Sequence, residues 1–377
     1  MSGSIRRRGK GSWQIKYELP REPQTNARRT RYKTIQGKRA DAERELRAIL
    51  FRVDKGVSID PSKITVAEFL TDWLDAVAPQ TVSAKSLERY KGLVRNQINP
   101  HLATLHLQKL RPAEVSNWLQ TLIGENRLST RSIRHAHGVL RTALNHAVAI
   151  EIVERNVAAI IKPPTLERQE IATLTEKQIS NTLERLADHP TLYPIVALAI
   201  GTGARRGEIA ALRWSDVDLD AQTIRIERAL EQTGKGLRVK SPKTRSGRRT
   251  VSLPPFAVEA LRNHRQQQME LRLKLGLGKL PVEFPVFGSF EGSWPTPYSI
   301  TDRWRDAVKN RELPAVTFHA LRHSHASALI AAGLDVVAVS RRLGHASPAL
   351  TLSVYGHLFR NDDDKAAAAI EAAFQVT

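Results

Sequence analysis

Residues 201–208 read Gly-Thr-Gly-Ala-Arg-Arg-Gly-Glu, and the interpretation of the second half of the chain depends on this stretch. The apolar pattern of Leu192–Ile200 predicts a helix before it, so Arg205 and Arg206 stand at a break between two helices. A glycine-flanked pair of arginines is, taken alone, more often a simple turn than a binding site. The meaning of these arginines therefore depends on the motifs that accompany them.

Two further motifs follow along the chain. A basic turn, Ser241–Arg249, contains Lys243 and separates two predicted strands, Leu237–Lys240 and Arg249–Leu253. On its own this turn is a generic phosphate-contacting hairpin, whose arginines, Arg249 included, could neutralise a phosphate. Farther on, His319 and Arg322 are spaced i, i+3, which places them on one face of a predicted helix.

The last motif is Leu343-Gly-His345, which precedes a tyrosine. Ser347 and the proline after it favour a helix start, and Gly356 favours a helix end. Tyr355 therefore stands at a helix terminus, where we expect its side chain to be exposed and able to move.

Metal-free cleavage of a phosphodiester needs the side chains that these motifs supply. A tyrosine phenolate can attack phosphorus and form a covalent ester. Fixed arginine forks match the oxygens of the pentavalent transition state, which carries extra negative charge. The leaving alkoxide needs a proton, which a lysine or a histidine can donate. Each motif is weak alone, and their joint occurrence in order is what favours this chemistry.

Composition favours a nucleic-acid partner. The chain has 377 residues, with 58 Lys and Arg against 38 Asp and Glu, so its net charge is +20 and a polyanion is the expected partner. The absence of cysteine excludes disulfides, thiol catalysis and cysteine-based metal sites. The sequence has no secretory signal pattern and no apolar stretch long enough for a membrane span. We expect a cytoplasmic, nucleoid-associated protein with no membrane partner.

The first 60 residues are basic and rich in β-formers. Alternating patterns at Trp13–Leu19 and Arg31–Ile35 predict strands, and apolar spacing predicts a helix over Arg39–Val53. We interpret the segment as a three-stranded sheet backed by one helix, with a basic sheet face that fits a DNA major groove. A loose, solvated basic tail would carry the same charges.

Helical periodicity dominates from about residue 61, where Thr65–Glu68 predicts a capping box and apolar spacing predicts helices that include Thr130–Ala149. Mixed α and β patterns, with a helix predicted over Pro255–Gln268, follow a proline-containing linker at Lys162–Glu170. The predicted fold is multidomain and mainly α with small β-sheets: an N-terminal sheet plus helix, an all-helical domain and an α+β domain. The predicted boundaries are 1–60, 61–165 and 166–377. The basic residues that we expect to contact DNA are Arg6, Arg7, Arg8, Lys10, Lys16, Arg28, Arg29, Arg31 and Lys33 near the N-terminus, Lys85, Arg89, Arg131 and Arg134 in the helices, and Arg245 and Arg248 in the basic turn.

Together and in this order, the motifs resemble the signature of tyrosine recombinases, or phage-type integrases. The signature combines an Arg box T-G-x-R-x-G-E, a strand-turn lysine, H-x-x-R, L-G-H and a tyrosine. The matching parts here are Thr202–Glu208, Lys243, His319 with Arg322, Leu343–His345, and Tyr355. The resemblance is strong over about residues 170–377. It is less specific over the helical segment, which resembles the family's core-DNA-binding domain, whereas the first 60 residues resemble its arm-binding domain.

The resemblance implies a role for each residue. Arg205 and Arg322 would grip the scissile phosphate, and His345 would hydrogen-bond a nonbridging oxygen. Lys243 would protonate the 5′ leaving oxygen, His319 would assist proton transfer, and Tyr355 would form a 3′-phosphotyrosyl bond. Glu208 would be the structural acid of the Arg box. No metal or cofactor is implied.

The resemblance also implies partners. These are double-stranded DNA with core-type and arm-type attachment sites, further copies of the chain in a tetramer on DNA, and possible accessory proteins, namely a host DNA-bending protein and an excisionase. A tail helix over about Asp363–Phe374 would pack on a neighbouring protomer. The attachment site is expected beside the gene. Ala320 and Val157 depart from the family's usual residues, and neither position is chemical.

Three other functions remain open. A zinc hydrolase could use His319 and His323 at i, i+4, but Ala320 stands where a zincin needs its glutamate base. We therefore interpret His323 as a helix-packing or phosphate-adjacent residue. A type IB topoisomerase would use similar catalytic residues. A non-catalytic DNA-binding protein would need neither the tyrosine nor both arginines.

Overall fold

The computed structural model describes residues 3–19, 21, 26–54, 62–167, 172–241, 245–359, 370, 371, 373 and 374, apart from the side chains of 52, 54 and 245. The chain divides into two compact units, residues 1–167 and 168–377. Lys243, the side chain of Arg245 and most of the predicted tail helix lie outside the described residues.

The first unit begins with an antiparallel sheet of strands β1 (Gly3–Gly9), β2 (Ser12–Leu19) and β3 (Arg29–Gln36), paired in that order. Helix α1 (Arg39–Asp54) packs on one face of it. A small core of Ile15, Ala42 and Leu46 joins the sheet to the helix. The predicted sheet and helix are therefore present.

The strand register corrects the prediction of a single basic face. Residues directly opposite each other in antiparallel strands point to the same side of the sheet. Arg7, Arg29, Arg31 and Lys33 lie opposite Trp13, Leu19, Tyr17 and Ile15, respectively, whose side chains face α1. The Lys33 ammonium pairs with the Glu45 carboxylate of α1 at 2.6 Å. The residues paired across the outer face are Arg6 with Gln14, Ser4 and Tyr32 with Lys16, Thr34 with Gln14, and Thr30 with Glu18.

The rest of the first unit is helical. Its helices are α2 (Val66–Asp72), α3 (Ala78–Thr81), α4 (Ala84–Leu93), α5 (Asn99–Leu102), α6 (Pro112–Gly124), α7 (Thr130–Ala149) and α8 (Val157–Ile160), with π-helical turns at Trp73–Val77 and Val94–Ile98. The predicted capping box at Thr65 is present, since Thr65 and Glu68 exchange side-chain and backbone hydrogen bonds. One apolar core, which includes Trp73, Trp118 and Leu140, joins these helices.

The second unit mixes helices and short strands. Its helices are α9 (Glu176–Leu186), α10 (Leu192–Thr202), α11 (Arg206–Ala210), α12 (Pro255–Lys274), α13 (Pro297–Asn310), α14 (Phe318–Ala331), α15 (Val336–Leu343) and α16 (Pro348–Tyr355). Its strands are β4 (Val217–Asp218), β5 (Thr223–Ile226), β6 (Ala229–Thr233), β7 (Gly236–Lys240) and β8 (Arg249–Ser252). Helix α10 is buried along its whole length except for one side chain, and it lies at the centre of the core.

Strand pairing in this unit differs from the expected hairpin at the basic turn. Strand β7 pairs with β6, whereas β8 pairs with β5 in a separate sheet. The basic turn therefore connects two sheets instead of closing one hairpin. Helix α12 also continues to Lys274, beyond the end predicted at Gln268.

None of the helices in the described part of the chain is both long and apolar enough to cross a bilayer.

Candidate active site

The Arg box forms the junction between α10 and α11. The Thr202 hydroxyl donates to the Leu198 carbonyl at 2.6 Å and accepts from the Ala204 N–H at 3.2 Å, which closes the end of α10. Arg205 then occupies the N-cap position of α11. The Glu208 carboxylate accepts the Arg205 backbone N–H at 2.8 Å, as in a capping box. The motif thus encodes a tight connection that fixes the start of the arginine side chain.

Two glycines of the box are required by space and backbone conformation. Gly203 has φ +63°, the left-handed region, and a Cβ there would lie 2.6 Å from the His325 ring. A Cβ on Gly207 would lie 2.7 Å from the Leu230 carbonyl oxygen of β6. Side chains at either position would push the junction away from its neighbours.

Glu208 is buried between two arginines. Its side chain is 4% exposed and accepts from Arg205 Nη1 at 2.7 Å and from Arg249 Nη2 at 3.0 Å. Burial would raise the pKa of Glu208, but the charges and hydrogen bonds of Arg249 and Arg205 outweigh it and lower this pKa. The carboxylate is therefore ionised and holds the Arg205 guanidinium in place.

The C-terminal end of α15 binds three arginines through its carbonyl groups. Arg322 Nη2 donates to the Leu343 carbonyl at 2.8 Å, and Arg205 Nη2 donates to the Gly344 carbonyl at 3.2 Å. Arg249 Nε donates to the Arg342 carbonyl at 2.7 Å. These carbonyls have no partner within the helix and carry the negative end of its dipole, so cations suit them. The arginines thereby anchor the loop that presents His345.

Arg322 is nearly inaccessible, with 4% of the residue exposed. It also donates to the Gly203 carbonyl at 2.6 Å, which ties α14 to the Arg box. Burial and the charge of Arg205 lower the pKa of Arg322 to about 9, so it stays charged at neutral pH. A guanidinium has more N–H donors than Arg205 and Arg322 spend on these contacts, which leaves both able to bind an anion.

Two histidines predicted for the site lie in the same electrostatic cluster. His345 Nδ1 is 2.8 Å from the Thr351 hydroxyl, and burial together with Arg322 and Arg205 lowers the pKa of His345 to about 4. Desolvation and the neighbouring His323 and Arg322 likewise lower the pKa of His319 to about 4. Both imidazoles are therefore neutral at pH 7 and can donate or accept a hydrogen bond.

Tyr355 ends α16 as predicted, but the expectation that it is exposed is wrong. The residue is 2% exposed and packs with Ala326, Val339 and Leu343. Its hydroxyl lies 2.6 Å from His323 Nδ1. Burial raises the pKa of Tyr355 to about 12, partly offset by Arg322. The phenol is therefore protonated in this structure.

The structure places the remaining candidate DNA contacts in different settings. Arg89 and Arg131 are exposed and lie near His135, whose pKa is lowered by burial and by the charges of these two arginines. Lys85 pairs with Glu88, and Arg134 donates to the Pro164 carbonyl at 2.8 Å. The other members of the set are Arg8, Lys10, Arg28 and Arg248, all exposed.

Arg249 and His323 take part in the site in ways that the sequence does not indicate. Arg249 was expected to be able to neutralise a phosphate, but its side chain is 7% exposed and bonded to Glu208 and Arg342. His323 was treated as a packing or phosphate-adjacent residue, and it contacts the tyrosine hydroxyl instead. The one available sequence signal was its position directly after Arg322. Among the described residues, no group of three or more His, Cys, Asp or Glu is arranged to hold a metal ion.

Comparison with known proteins adds independent information. The phage integrase family matches residues 172–362, and a phage integrase N-terminal SAM-like domain matches residues 65–123. A tyrosine recombinase XerC-like protein of Caldanaerobacter subterraneus is 27% identical over 340 residues, 85% of this chain and 86% of that protein.

Solved structures show the same fold. The Tn1549 transposon integrase in complex with a circular intermediate DNA is 19% identical with a TM-score of 0.65, covering 82% of this chain and 99% of that one. A lambda integrase tetramer bound to a Holliday junction is 18% identical with a TM-score of 0.55, covering 92% of each chain. The predicted fold class, multidomain and mainly helical with small sheets, is confirmed.

Proposed function

The chain belongs to the phage integrase family, whose members are DNA strand transferases of the tyrosine recombinase type, and on that premise we propose that it is the integrase of a mobile element. It cleaves and rejoins DNA at specific sites through a 3′-phosphotyrosyl intermediate and a Holliday junction, and so integrates and excises the element. The observation that carries this proposal is the convergence of Arg205, Arg322 and His345 on the cluster that contains Tyr355.

Each residue of the cluster has one chemical task. Arg205 and Arg322 bind the nonbridging oxygens of the scissile phosphate through the N–H groups that their protein contacts leave over. His345 donates a further hydrogen bond to these oxygens, and His319 assists proton transfer. The positive charge of the arginines stabilises the transition state, where negative charge on the phosphorane increases.

The covalent step exchanges one ester bond for another. The Tyr355 oxygen attacks phosphorus and loses its proton, while the bond from phosphorus to the 5′ oxygen breaks. Lys243 donates a proton to that oxygen, which leaves as an alcohol. Because a phosphodiester is conserved in the intermediate, rejoining needs no external energy source and the step needs no metal.

We assign DNA binding to three parts of the chain. The outer face of the N-terminal sheet, which carries Arg6, Lys16 and Tyr32, binds arm-type DNA. The helical segment binds core-type DNA through a surface that includes Arg89 and Arg131. Residues 166–377 carry catalysis, including the basic turn with Lys243. The lambda integrase tetramer on a Holliday junction supports four copies of this chain on paired sites.

A recombination assay tests the proposal and separates it from a topoisomerase. Two distinguishable supercoiled plasmids, each carrying DNA from the region flanking the gene, are incubated with the full-length chain and EDTA. We expect recombinant plasmids that depend on both sites, and at least ~100-fold fewer with Arg205→Lys, since lysine cannot replace the bidentate contact. Relaxation of plasmids that lack the site, with no recombinants, would show a topoisomerase instead.

A further inference from the structure

The contact between His323 and Tyr355 joins two elements of the second unit. His323 lies on α14 directly after Arg322, and Tyr355 is the last residue of α16. The two side chains are separated by 32 positions in sequence, yet His323 Nδ1 and the tyrosine hydroxyl are 2.6 Å apart. The rings lie 5.6 Å apart at 56°, so the contact runs through the hydroxyl and not through stacking.

The direction of this hydrogen bond follows from the acidity of the partners. Burial and Arg322 lower the pKa of His323, and burial raises that of Tyr355, so both groups are neutral at pH 7. A phenol is the better donor and an imidazole nitrogen the better acceptor, so the Tyr355 hydroxyl donates to an unprotonated His323 Nδ1. His323 then carries its ring proton on Nε2.

We infer that His323 is a catalytic residue that accepts the hydroxyl proton of Tyr355 as its oxygen attacks phosphorus, and returns that proton when the DNA strand is rejoined. The inference rests on the proposed role of Tyr355 as nucleophile. The family resemblance assigned proton transfer to His319 and Lys243, and it gave His323 no role.

The proton and electron pairs balance in both directions. In cleavage, the oxygen of Tyr355 forms its bond to phosphorus while its proton moves to His323 Nδ1. The bond from phosphorus to the 5′ oxygen breaks, and that oxygen takes a separate proton from Lys243. In rejoining, the 5′ hydroxyl attacks, and the departing tyrosine oxygen recovers the proton from His323.

His323 is better suited to accept the tyrosine proton than the side chains around it. Arg322 is cationic and cannot accept a proton, and His345 Nδ1 is engaged with Thr351. The His319 ring meets His323 edge-on at 4.8 Å. Arg322 opposes a permanent charge on His323, whereas the phosphorane beside it favours a transient one. His323 is thus neutral before attack and stabilised as a cation during attack.

The test compares His323→Ala with His323→Gln in the full-length chain. Glutamine can accept the tyrosine hydroxyl through its amide oxygen and hold the side chain in position, but it cannot take a proton. The probe is a nicked duplex with the gene-flanking site, from which the cleaved end diffuses away so that covalent adduct accumulates. We expect both variants to bind this duplex normally and to cleave it about 10²–10⁴-fold more slowly. Imidazole in the buffer should restore part of the rate in His323→Ala.

A substrate with sulfur as the bridging 5′ atom adds a second readout. Its thiolate leaves without protonation, because a thiol has a pKa of about 8.5. A lysine that protonates the leaving group becomes dispensable on this substrate, so Lys243→Ala should cleave it at close to the wild-type rate. The His323 variants should stay slow on it, since they impair the nucleophile.

Cleavage by His323→Gln at the wild-type rate would overturn the inference and leave His323 as a positioning residue. Cleavage of the sulfur substrate by His323→Ala at close to the wild-type rate would also overturn the inferred role of His323. Failure of the underlying function is a different result: the wild-type chain itself would form no adduct, or Tyr355→Phe would still form one. Thermal unfolding of each variant checks that the chain is folded.

Discussion

At the scale of single residues, Glu208 determines where the Arg205 guanidinium points. It is buried and lies between Arg205 and Arg249, so its negative charge offsets two cations that would otherwise repel each other. Removing one partner of a buried ion pair is costly because the other charge stays behind without compensation.

We expect Glu208→Gln to destabilise the second unit by up to about 3–5 kcal/mol, the range for a broken buried pair, and to slow cleavage because Arg205 loses its anchor. Urea denaturation followed by circular dichroism measures the first effect, and covalent adduct formation the second. Glu259→Gln on the exposed face of α12 is the matched control. Equal stability of the two variants would show that the buried carboxylate is not needed.

His325 illustrates how burial couples stability to pH. Its Nδ1 donates to the Ile200 carbonyl at 2.7 Å and its Nε2 accepts from Arg342 Nε at 3.1 Å, so the ring is neutral. Burial and Arg342 lower the pKa of His325 to about 4. The unfolded chain, with a histidine pKa of about 6.5, therefore binds the proton first as the pH falls.

The free energy of unfolding should consequently decrease as the pH falls from about 6.5 to about 4, with no loss from this group above that window. His325→Gln keeps a donor and an acceptor but does not titrate, so its stability should depend less steeply on pH there. Denaturation series at several pH values provide the comparison, with exposed His357→Gln as control. Parallel curves for wild type and His325→Gln would contradict this assignment.

At the scale of elements, the N-terminal sheet separates basic residues that look alike in sequence. Lys16 lies on the outer face beside Tyr32, whereas Lys33 lies on the helix side and pairs with Glu45. Charge density alone cannot distinguish these positions, but strand register does.

We expect Lys16→Ala to weaken binding of arm-type DNA from the gene-flanking region and to reduce the slope of log affinity against log salt by about 0.9, the value for one lost phosphate contact. Lys33→Ala, the matched control, should leave the slope unchanged. Fluorescence anisotropy at several salt concentrations measures both. A smaller slope of log affinity against log salt in Lys33→Ala alone would indicate that DNA binds the face of the sheet that α1 covers.

Local sequence patterns predict most helices and strands, whereas the elements that form through long-range pairing are not predicted. Apolar spacing predicted α7 with its observed bounds, and the cap at Thr65 predicted the start of α2. Strand β6 was missed because Ala229–Thr233 has neither alternation nor a run of β-branched residues; it forms by pairing with β7. The links from Glu208 to Arg249 and from His323 to Tyr355 join distant segments, and no local pattern encodes them.

The burial of Tyr355 likewise depends on long-range packing that no local pattern encodes. A helix end with a glycine predicts where Tyr355 stands along the chain, but not that α14 and α15 cover it. The family signature pointed to Arg205, Arg322, His345 and Tyr355, which the structure places in one cluster, whereas Lys243 lies outside the described residues. The contacts of Arg249 and His323 required the fold.

At the scale of the whole molecule, charge and chemistry are divided between separate parts of the chain. The net charge of +20 supplies attraction to DNA that carries no sequence information. In the proposed mechanism, catalysis depends on a cluster in the second unit, whose described residues lie on or next to α10, α11, α14, α15 and α16. Removal of a single atom, the hydroxyl oxygen of Tyr355, should therefore abolish strand cleavage and leave DNA binding intact.

In the proposed mechanism, Tyr355 becomes covalently joined to DNA. The most direct measurement traps the adduct on the nicked gene-flanking duplex in EDTA, digests the protein, and identifies the DNA-linked peptide by mass spectrometry. We expect attachment at Tyr355. Tyr355→Phe, which keeps the ring and its packing, should bind the duplex with near-normal affinity and form no adduct. A peptide linked through another residue, or adduct at the wild-type level in Tyr355→Phe, would contradict the role of Tyr355 as nucleophile.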